Sequence, residues 1–86
     1  MNNTIRVIVF LEADKWIAQG LEHDICAQGS TSEEAMKRFE SLLKLESRED
    51  GGITRIEAAP EHFLKLWDNA SESPKDLIAQ QFSLAA

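Results

Sequence analysis

The segment that most restricts the fold of this chain runs from Gln28 to Ala35, where a strand gives way to a helix. Thr31 is followed three residues later by Glu34, which is the spacing of a capping box. In that motif each side chain accepts a hydrogen bond from a backbone N–H group at the helix start. Gly29 precedes the cap, and we expect it to allow a sharp turn through a positive φ angle. The pattern predicts a strand that turns directly into a helix.

The predicted helix extends from about Ser32 to Glu46 and has one apolar face. Its apolar residues recur at helical spacing, and charged or polar residues occupy the opposite side. The apolar set is Ala35, Met36, Phe39, Leu42 and Leu43. Because a helix of this kind buries one face, we expect it to pack on a sheet.

The segment Ile5–Leu11 is rich in β-branched and aromatic residues and predicts a strand. Successive side chains of a strand point to opposite faces. One face therefore carries Ile5, Val7, Val9 and Leu11, and the other carries Ile8 and Phe10. Both faces are apolar, so both must be covered. The first helix can cover one, and either the C-terminal half or a second subunit must cover the other.

Two further strands are predicted, at Trp16–Leu21 and Ile25–Gln28. The segment Glu12–Lys15 reads as a short hairpin turn. Gly20 indicates a bulge or a close approach of another part of the backbone. With such short connections we expect the three strands to form an antiparallel meander.

The C-terminal half is predicted to be mainly helical. Gly51 and Gly52 end the first helix, and Ile53–Ile56 can form a short fourth strand at the sheet edge. Pro60 suits the first turn of a second helix. That helix carries an apolar stripe formed by Phe63, Leu64, Leu66, Trp67 and Ala70.

Ser73 and Pro74 have the character of a third helix start, with a serine cap and a proline at the first helical position. Leu77, Ile78, Gln81 and Phe82 follow at helical spacing. The sequence as a whole predicts an α+β, two-layer fold. It comprises an antiparallel β-β-β-α meander, the short fourth edge strand, and one or two C-terminal helices.

The charge and the single cysteine bear on the class of function. The net charge of −6 disfavours direct binding to nucleic acid and suits a basic protein partner, although it can also serve solubility alone. Cys26 cannot form an intrachain disulfide, since it is the only cysteine.

We find no apolar run long enough for a membrane helix and no secretion signal. We therefore expect a cytoplasmic protein that does not bind membranes.

Four carboxylates are candidates for a metal-dependent nuclease site: Glu12, Asp14, Glu22 and Asp24. They fall in a turn and a loop, whereas two-metal chemistry needs carboxylates that converge from rigid strands. We therefore interpret them as solvated turn residues.

His23 and Cys26 are three residues apart, but two ligands are too few for zinc. A Cys26 nucleophile would need a base and an orienting group, so we interpret this cysteine as a strand residue. His62 falls at a helix start, where exposure to solvent is expected. We expect no catalytic residue, no metal and no cofactor.

The two tryptophans fit either packing or recognition. Trp16 at the hairpin is typical of cross-strand packing, while Trp67 on the apolar stripe fits a core or an interface. The candidate protein interface comprises Phe63, Leu64, Leu66, Trp67 and Trp16. Since the core of an 86-residue chain is small, we expect a homodimer that supplements it.

The order of the motifs is similar to that of a known family. Strand Ile5–Leu11 is followed by Trp16-Ile17-Ala18, by Leu21-Glu22-His23-Asp24-Ile25, by Gln28-Gly29, and by Thr31-Ser32-Glu33-Glu34-Ala35. This succession, which covers about the first half of the chain, resembles the HicB-like antitoxin family. Its fold-defining residues here are Gln28, Gly29, Thr31, Glu34 and Ala35. The later Ala59-Pro60-Glu61-His62-Phe63 resembles small single-domain members of unassigned role.

The resemblance implies a single HicB-like domain over residues 1–86, with a β-β-β-α core at 1–46. A loop with a possible strand would occupy 47–58, and the C-terminal helices 59–82. It also implies a module that sheathes a small, basic, RNA-cleaving toxin. Longer members add an operator-binding segment, but after Ser71 this chain carries Lys75 and no arginine, so we do not expect binding to DNA.

A second hypothesis is a self-associating accessory domain without a toxin, in which Phe63, Leu64 and Trp67 pack on a second copy. A short neighbouring reading frame for a small basic protein would favour the antitoxin, and its absence would favour the orphan domain.

Overall fold

The computed structural model describes residues 4–70 and 77–83. Over these ranges the chain forms one antiparallel sheet of four strands and two α-helices, which confirms the α+β class. The elements are β1 (Thr4–Glu12), β2 (Lys15–Gly20), β3 (Cys26–Gly29), α1 (Ser32–Ser47), a 3₁₀ helix (Gly52–Arg55), α2 (His62–Asn69) and β4 (Leu77–Ser83). The strand order in the sheet is β3-β2-β1-β4.

Strand β1 lies inside the sheet and pairs on both sides. It joins β2 through a hairpin in which Glu12 pairs with Lys15, so Ala13 and Asp14 form the two-residue loop. Ala13 has a φ of 57°, in the region that favours glycine. On its other side β1 pairs antiparallel with β4, from Thr4 opposite Ser83 to Phe10 opposite Leu77.

Two apolar clusters cover the two faces of β1, as the alternation of its side chains predicts. The first face packs on α1, and this cluster, the first core, includes Ile5, Val7, Val9, Ala18, Ile25, Ala35, Phe39, Leu43 and Ile53. The second face packs on α2, and this second core contains Ile8, Leu21 and Ala70 with Phe10, Phe63, Leu66, Trp67 and Leu77 around them. The sheet thus lies between two helices, so the prediction of two layers is wrong. The C-terminal half supplies the second cover.

The start of α1 follows the predicted capping chemistry with one difference. The Thr31 Oγ1 atom accepts a hydrogen bond from the Glu34 N–H at 3.0 Å. The Glu34 carboxylate accepts from the N–H of Ser30 at 2.7 Å, one residue before the position that a standard capping box uses. The two bonds fix the direction in which the chain enters the helix.

The predicted role of Gly29 is wrong, because Gly51 and Gly52 are the glycines with positive φ in the described ranges. A Cβ atom at Gly29 would instead lie 2.7 Å from the backbone nitrogen of Ala35. The first turn of α1 therefore packs directly on the end of β3. At Gly20 the predicted close approach is confirmed, since a Cβ atom there would lie 2.7 Å from the His23 carbonyl oxygen.

Two elements of the C-terminal half differ from the prediction. The segment predicted as a fourth strand, Ile53–Ile56, lies largely in the 3₁₀ helix, and Ile53 is buried in the first core. The residues predicted to form a last helix, from Leu77 to Phe82, belong to strand β4. Their strand conformation follows from pairing with β1, whose outer edge would otherwise lack a partner. The proposed helix start at Ser73 and Pro74 lies outside the described residues.

Candidate protein-binding groove

A groove opens beside the beginning of α2, where three parts of the chain meet. It has a volume of about 440 Å³ and is lined by Arg6, Leu21, Glu22, Ala58, Ala59, Pro60, Glu61 and Leu64. We call it the Leu64 groove. Its lining combines aliphatic and small residues with two carboxylates, those of Glu22 and Glu61.

Backbone hydrogen bonds hold the segment before α2 against the loop after β2. The N–H of Ala59 donates to the carbonyl of Leu21 at 3.0 Å, and the N–H of Asp24 donates to the carbonyl of Glu57 at 2.7 Å. His23 adds a bond from its Nδ1 to the carbonyl of Ile56 at 2.8 Å, and since a carbonyl can only accept, this nitrogen carries the proton. These bonds give the groove a fixed floor.

Arg6 and Glu22 form one wall of the groove. The Arg6 backbone N–H donates to one Glu22 oxygen at 2.8 Å, and its Nε donates to the other at 2.6 Å. Partial desolvation raises the pKa of Glu22, but the hydrogen bonds and charge of Arg6 outweigh it and hold the pKa below its ordinary value. The Arg6 guanidinium also lies 5.6 Å from the ring centroid of Trp67, within reach of a cation–π contact.

Helix α2 places its apolar stripe on two sides. Phe63, Leu66 and Trp67 are half-buried and pack on the sheet, and the Phe63 ring lies 6.0 Å from that of Phe10. Leu64 is 40% exposed and lines the groove beside Arg6 and Leu21, at the margin of the second core. Among the residues that the structure describes, Leu11, Leu45 and Leu64 are the exposed large hydrophobic residues, and Leu64 is the one that lines this groove.

The five candidate interface residues do not meet on one surface. Trp16 packs against the first core, on the opposite face of the sheet from α2. Phe63, Leu66 and Trp67 contribute to the second core. Of this set, Leu64 is the residue that the structure places in an open groove.

The fold-defining motif gathers at the corner between β3 and α1. Gln28 and Gly29 end the strand, Thr31 caps the helix, Glu34 bonds back to Ser30, and Ala35 is buried in the first core. These residues therefore shape the scaffold, and they lie away from the lining of the Leu64 groove.

The electrostatic character of the groove is acidic. Among the lining residues that the structure describes, Arg6 is the one cation, and its charge is paired with Glu22. Glu61 lines the groove and is exposed, and Glu57, one residue before the lining segment 58–61, is exposed as well. A cationic partner would meet the exposed carboxylates of Glu57 and Glu61 here.

The carboxylates considered for a nuclease do not converge. Glu12 and Asp14 flank the hairpin before β2, while Glu22 and Asp24 follow its far end, about 17 Å away along an extended strand of this length. Asp24 accepts a hydrogen bond from the buried Gln19 amide at 2.8 Å. Among residues 4–70 and 77–83, no three His, Cys, Asp or Glu side chains are grouped to hold a metal.

Cys26 is an exposed strand residue rather than an activated nucleophile. Partial burial of the thiol raises its pKa, and the negative charges of Asp24 and Glu12 raise it further. The thiol is therefore the dominant form near neutral pH, and a thiol is a much weaker nucleophile than a thiolate.

Sequence reasoning missed most of the groove because its lining comes from three separate segments. The apolar stripe of the predicted helix includes Leu64, but nothing in the sequence connects Arg6, Glu22 and Glu61 to that residue. One local signal was present: Ala58, Ala59 and Pro60 combine small size with a fixed backbone directly before a helix, which can leave a depression in the surface.

No helix in the described ranges is long and apolar enough to cross a membrane. No family model, curated protein or solved structure matches this chain.

Proposed function

We propose that this protein is a non-enzymatic binding module whose Leu64 groove receives an apolar side chain from a basic polypeptide. The observation that carries the proposal is the 40% exposure of Leu64 in a groove whose lining combines apolar residues with the carboxylates of Glu22 and Glu61. We further propose that the module is a cytoplasmic HicB-like antitoxin and that its partner is a small, basic, RNA-cleaving toxin.

The chemistry of the groove fits such a partner in two ways. Covering the exposed part of Leu64 removes apolar surface from water, which favours association by about 25 cal/mol per Å². The net charge of −6 attracts a cationic protein over a distance and speeds its encounter with the groove. For a basic partner, apolar burial and charge attraction both favour binding. For an acidic partner, charge repulsion would oppose the gain from apolar burial.

The antitoxin assignment rests on the resemblance of the strand order and of the Thr31–Ala35 helix start to the HicB-like family. An antitoxin of that kind acts by occupying the surface of its toxin, so it needs no catalytic group of its own. Contact with operator DNA is not part of this proposal, because the chain is acidic and phosphate contacts require clustered cations.

The test uses the small basic protein encoded next to the gene for this chain as the probe. We expect isothermal titration to show binding and RNA cleavage by the probe to fall when this chain is added. Leu64→Asp should weaken binding at least about tenfold, which corresponds to 1.4 kcal/mol, by placing a charge in the apolar contact.

Leu45→Asp is the matched control, because Leu45 is an exposed leucine of α1 that does not line the groove. It should leave the affinity unchanged. Equal losses in the two variants, or no binding by the wild type, would contradict the proposal.

The alternative is a self-associating accessory domain without a toxin. The observation that favours it is that β4 lies at an edge of the sheet over the described residues and carries no charged residue. Phe63 and Trp67, which were predicted to contact a second copy, pack on the chain's own sheet, so Leu64 is the exposed part of that predicted contact. Absence of a neighbouring gene for a basic protein, together with a dimer in light scattering, would support this alternative.

A further inference from the structure

The two edges of the sheet differ in length and in protection. Strand β3 forms one edge and has four residues. The Arg38 guanidinium from α1 donates a hydrogen bond to the Gln28 carbonyl of β3 at 3.0 Å and so covers part of this edge. Within residues 4–70 and 77–83, strand β4 forms the other edge; it has seven residues and contains no charged residue and no proline. Charged side chains and proline are the usual devices that prevent an edge strand from pairing with another chain.

The register identifies the residues of β4 whose backbone groups point away from β1. Arg6 uses both of its backbone groups on the side opposite β4: its carbonyl accepts from Leu21 and its N–H donates to Glu22. The backbone N–H and C=O groups of neighbouring residues in a strand point alternately to its two sides. The backbone groups of Val7 therefore point toward β4, where Val7 lies opposite Gln80. Gln80 therefore points back to β1, and the flanking Ala79 and Gln81 present their backbone groups outward.

We propose that a second copy of this chain pairs antiparallel with β4, with the two-fold axis at Gln80, so that two four-stranded sheets become one of eight strands. In this register Ala79 and Gln81 exchange backbone hydrogen bonds between the copies. Gln80 lies opposite Gln80 of the second copy in a non-hydrogen-bonded pair, where side chains are closest.

The side-chain pattern of β4 is complementary to itself in this register. Ile78 lies opposite Phe82 of the second copy, and Phe82 lies opposite Ile78 of that copy. Both residues are half-buried and pack against the first core of their own chain, with the Phe82 ring 5.3 Å from that of Phe39. An aromatic residue opposite a β-branched one is a favourable cross-strand pair. A shift of the axis by one residue would place Ile78 or Phe82 opposite Gln80 instead.

The charge distribution also selects this edge for a contact between identical copies. Two chains with a net charge of −6 repel each other, so a contact is least costly where the surface is neutral. Residues 77–83 form such a neutral edge. This inference goes beyond the Leu64 groove and does not depend on it, since no residue of β4 lines that groove.

The first test is a charge swap at Gln80, an exposed residue. At about 100 µM, light scattering should give a dimer for the wild type and half that mass for Gln80→Lys and for Gln80→Glu, because like charges face each other across the axis. An equimolar mixture of the two variants should recover the dimer. Gln28→Lys, an exposed residue at the other edge, should remain dimeric.

The proposal is overturned if the wild type is a monomer, if either Gln80 variant remains a dimer, or if the mixture stays monomeric.

A disulfide test decides whether β4 pairs with a second copy if a charged variant does not fold. In a Cys26→Ser background, Gln80→Cys should form an intermolecular disulfide on mild oxidation, since a non-hydrogen-bonded antiparallel pair brings Cα atoms close enough. Gln28→Cys in the same background should not, and equal cross-linking of the two variants would refute pairing through β4.

Discussion

Arg6 and Glu22 are joined by two hydrogen bonds that use both oxygens of the carboxylate, at 2.8 Å and 2.6 Å. One donor is the Arg6 backbone and the other its guanidinium, so the pair ties the middle of the sheet to the loop that follows β2. Because Arg6 also lies over Trp67, the same arginine connects this loop to α2.

The first prediction concerns the pH dependence of this pair. Because the pKa of Glu22 is lowered in the folded state, its contribution is present at pH values above the ordinary 4.5 and is lost as the pH falls through the lowered pKa. We expect Glu22→Gln to cost about 1 kcal/mol at neutral pH, a modest value because the pair is partly exposed. Urea unfolding at a series of pH values measures the difference, which should shrink in acid. Glu40→Gln, on the exposed side of α1, should change little, and a pH-independent cost of Glu22→Gln would contradict the prediction.

The second prediction concerns Gly29. An added Cβ atom would lie 2.7 Å from the Ala35 nitrogen and 2.9 Å from the Glu34 Cβ, so the first turn of α1 would have to move. Gly29→Ala should destabilise the fold by about 1 to 3 kcal/mol in chemical unfolding, as overpacking does elsewhere. Gly51→Asn is a control for the second role of glycine, which is to adopt a positive φ angle. Gly51 has a φ of 83° and an open surrounding, and asparagine tolerates that conformation, so its cost should be smaller.

The third prediction is a stabilising change at the hairpin. Ala13 has a φ of 57°, a conformation that costs a residue with a Cβ atom about 1 kcal/mol. Ala13→Gly should therefore raise the melting temperature. Asp14→Gly should not, since Asp14 does not have a positive φ and glycine there only adds freedom to the unfolded chain. A gain from Asp14→Gly equal to that from Ala13→Gly would show that strain at Ala13 is not the cause.

The fourth prediction separates the two sides of α2. Leu66 packs in the second core, so Leu66→Asp should lower the free energy of unfolding by several kcal/mol, as burial of an unpaired charge does. Leu64 is exposed, and Leu64→Asp should change the stability by less than about 0.5 kcal/mol. Circular dichroism melts of both variants test the orientation of the helix. Similar melting temperatures would mean that α2 does not cover the sheet as described.

The fifth prediction uses salt to distinguish the two proposed contacts. Attraction between this acidic chain and a basic partner is screened by salt, so that affinity should fall as ionic strength rises. Pairing of two acidic copies through the neutral β4 edge should be strengthened by the same change, because salt screens their repulsion. Titration and light scattering at low and high salt measure the two trends. If salt changed both affinities in the same direction, one of the two contacts would be misassigned.

The parts of the fold that the sequence predicted are those fixed by local chemistry. The start of α1 depends on Thr31 and Glu34, which are three residues apart, and the hairpin depends on a two-residue loop between apolar strands. Strand β4 could not be predicted in this way. Leu77, Ile78, Gln81 and Phe82 fit a helical face, and their strand state is imposed by β1, more than sixty residues earlier in the chain. The Leu64 groove was missed for the same reason, since Arg6 and Glu61 meet through tertiary structure.

The interior position of β1 has a consequence for how the chain reaches its folded state. The hairpin with β2 closes over a few residues and can form within microseconds. The opposite edge of β1 pairs with residues 77–83, which are far away in the sequence. Pairing of β1 with β4 is therefore expected to be the slow step of folding. Until that strand arrives, the outer edge of β1 is open to any other extended peptide, so the interval before β4 docks is when aggregation would compete with folding.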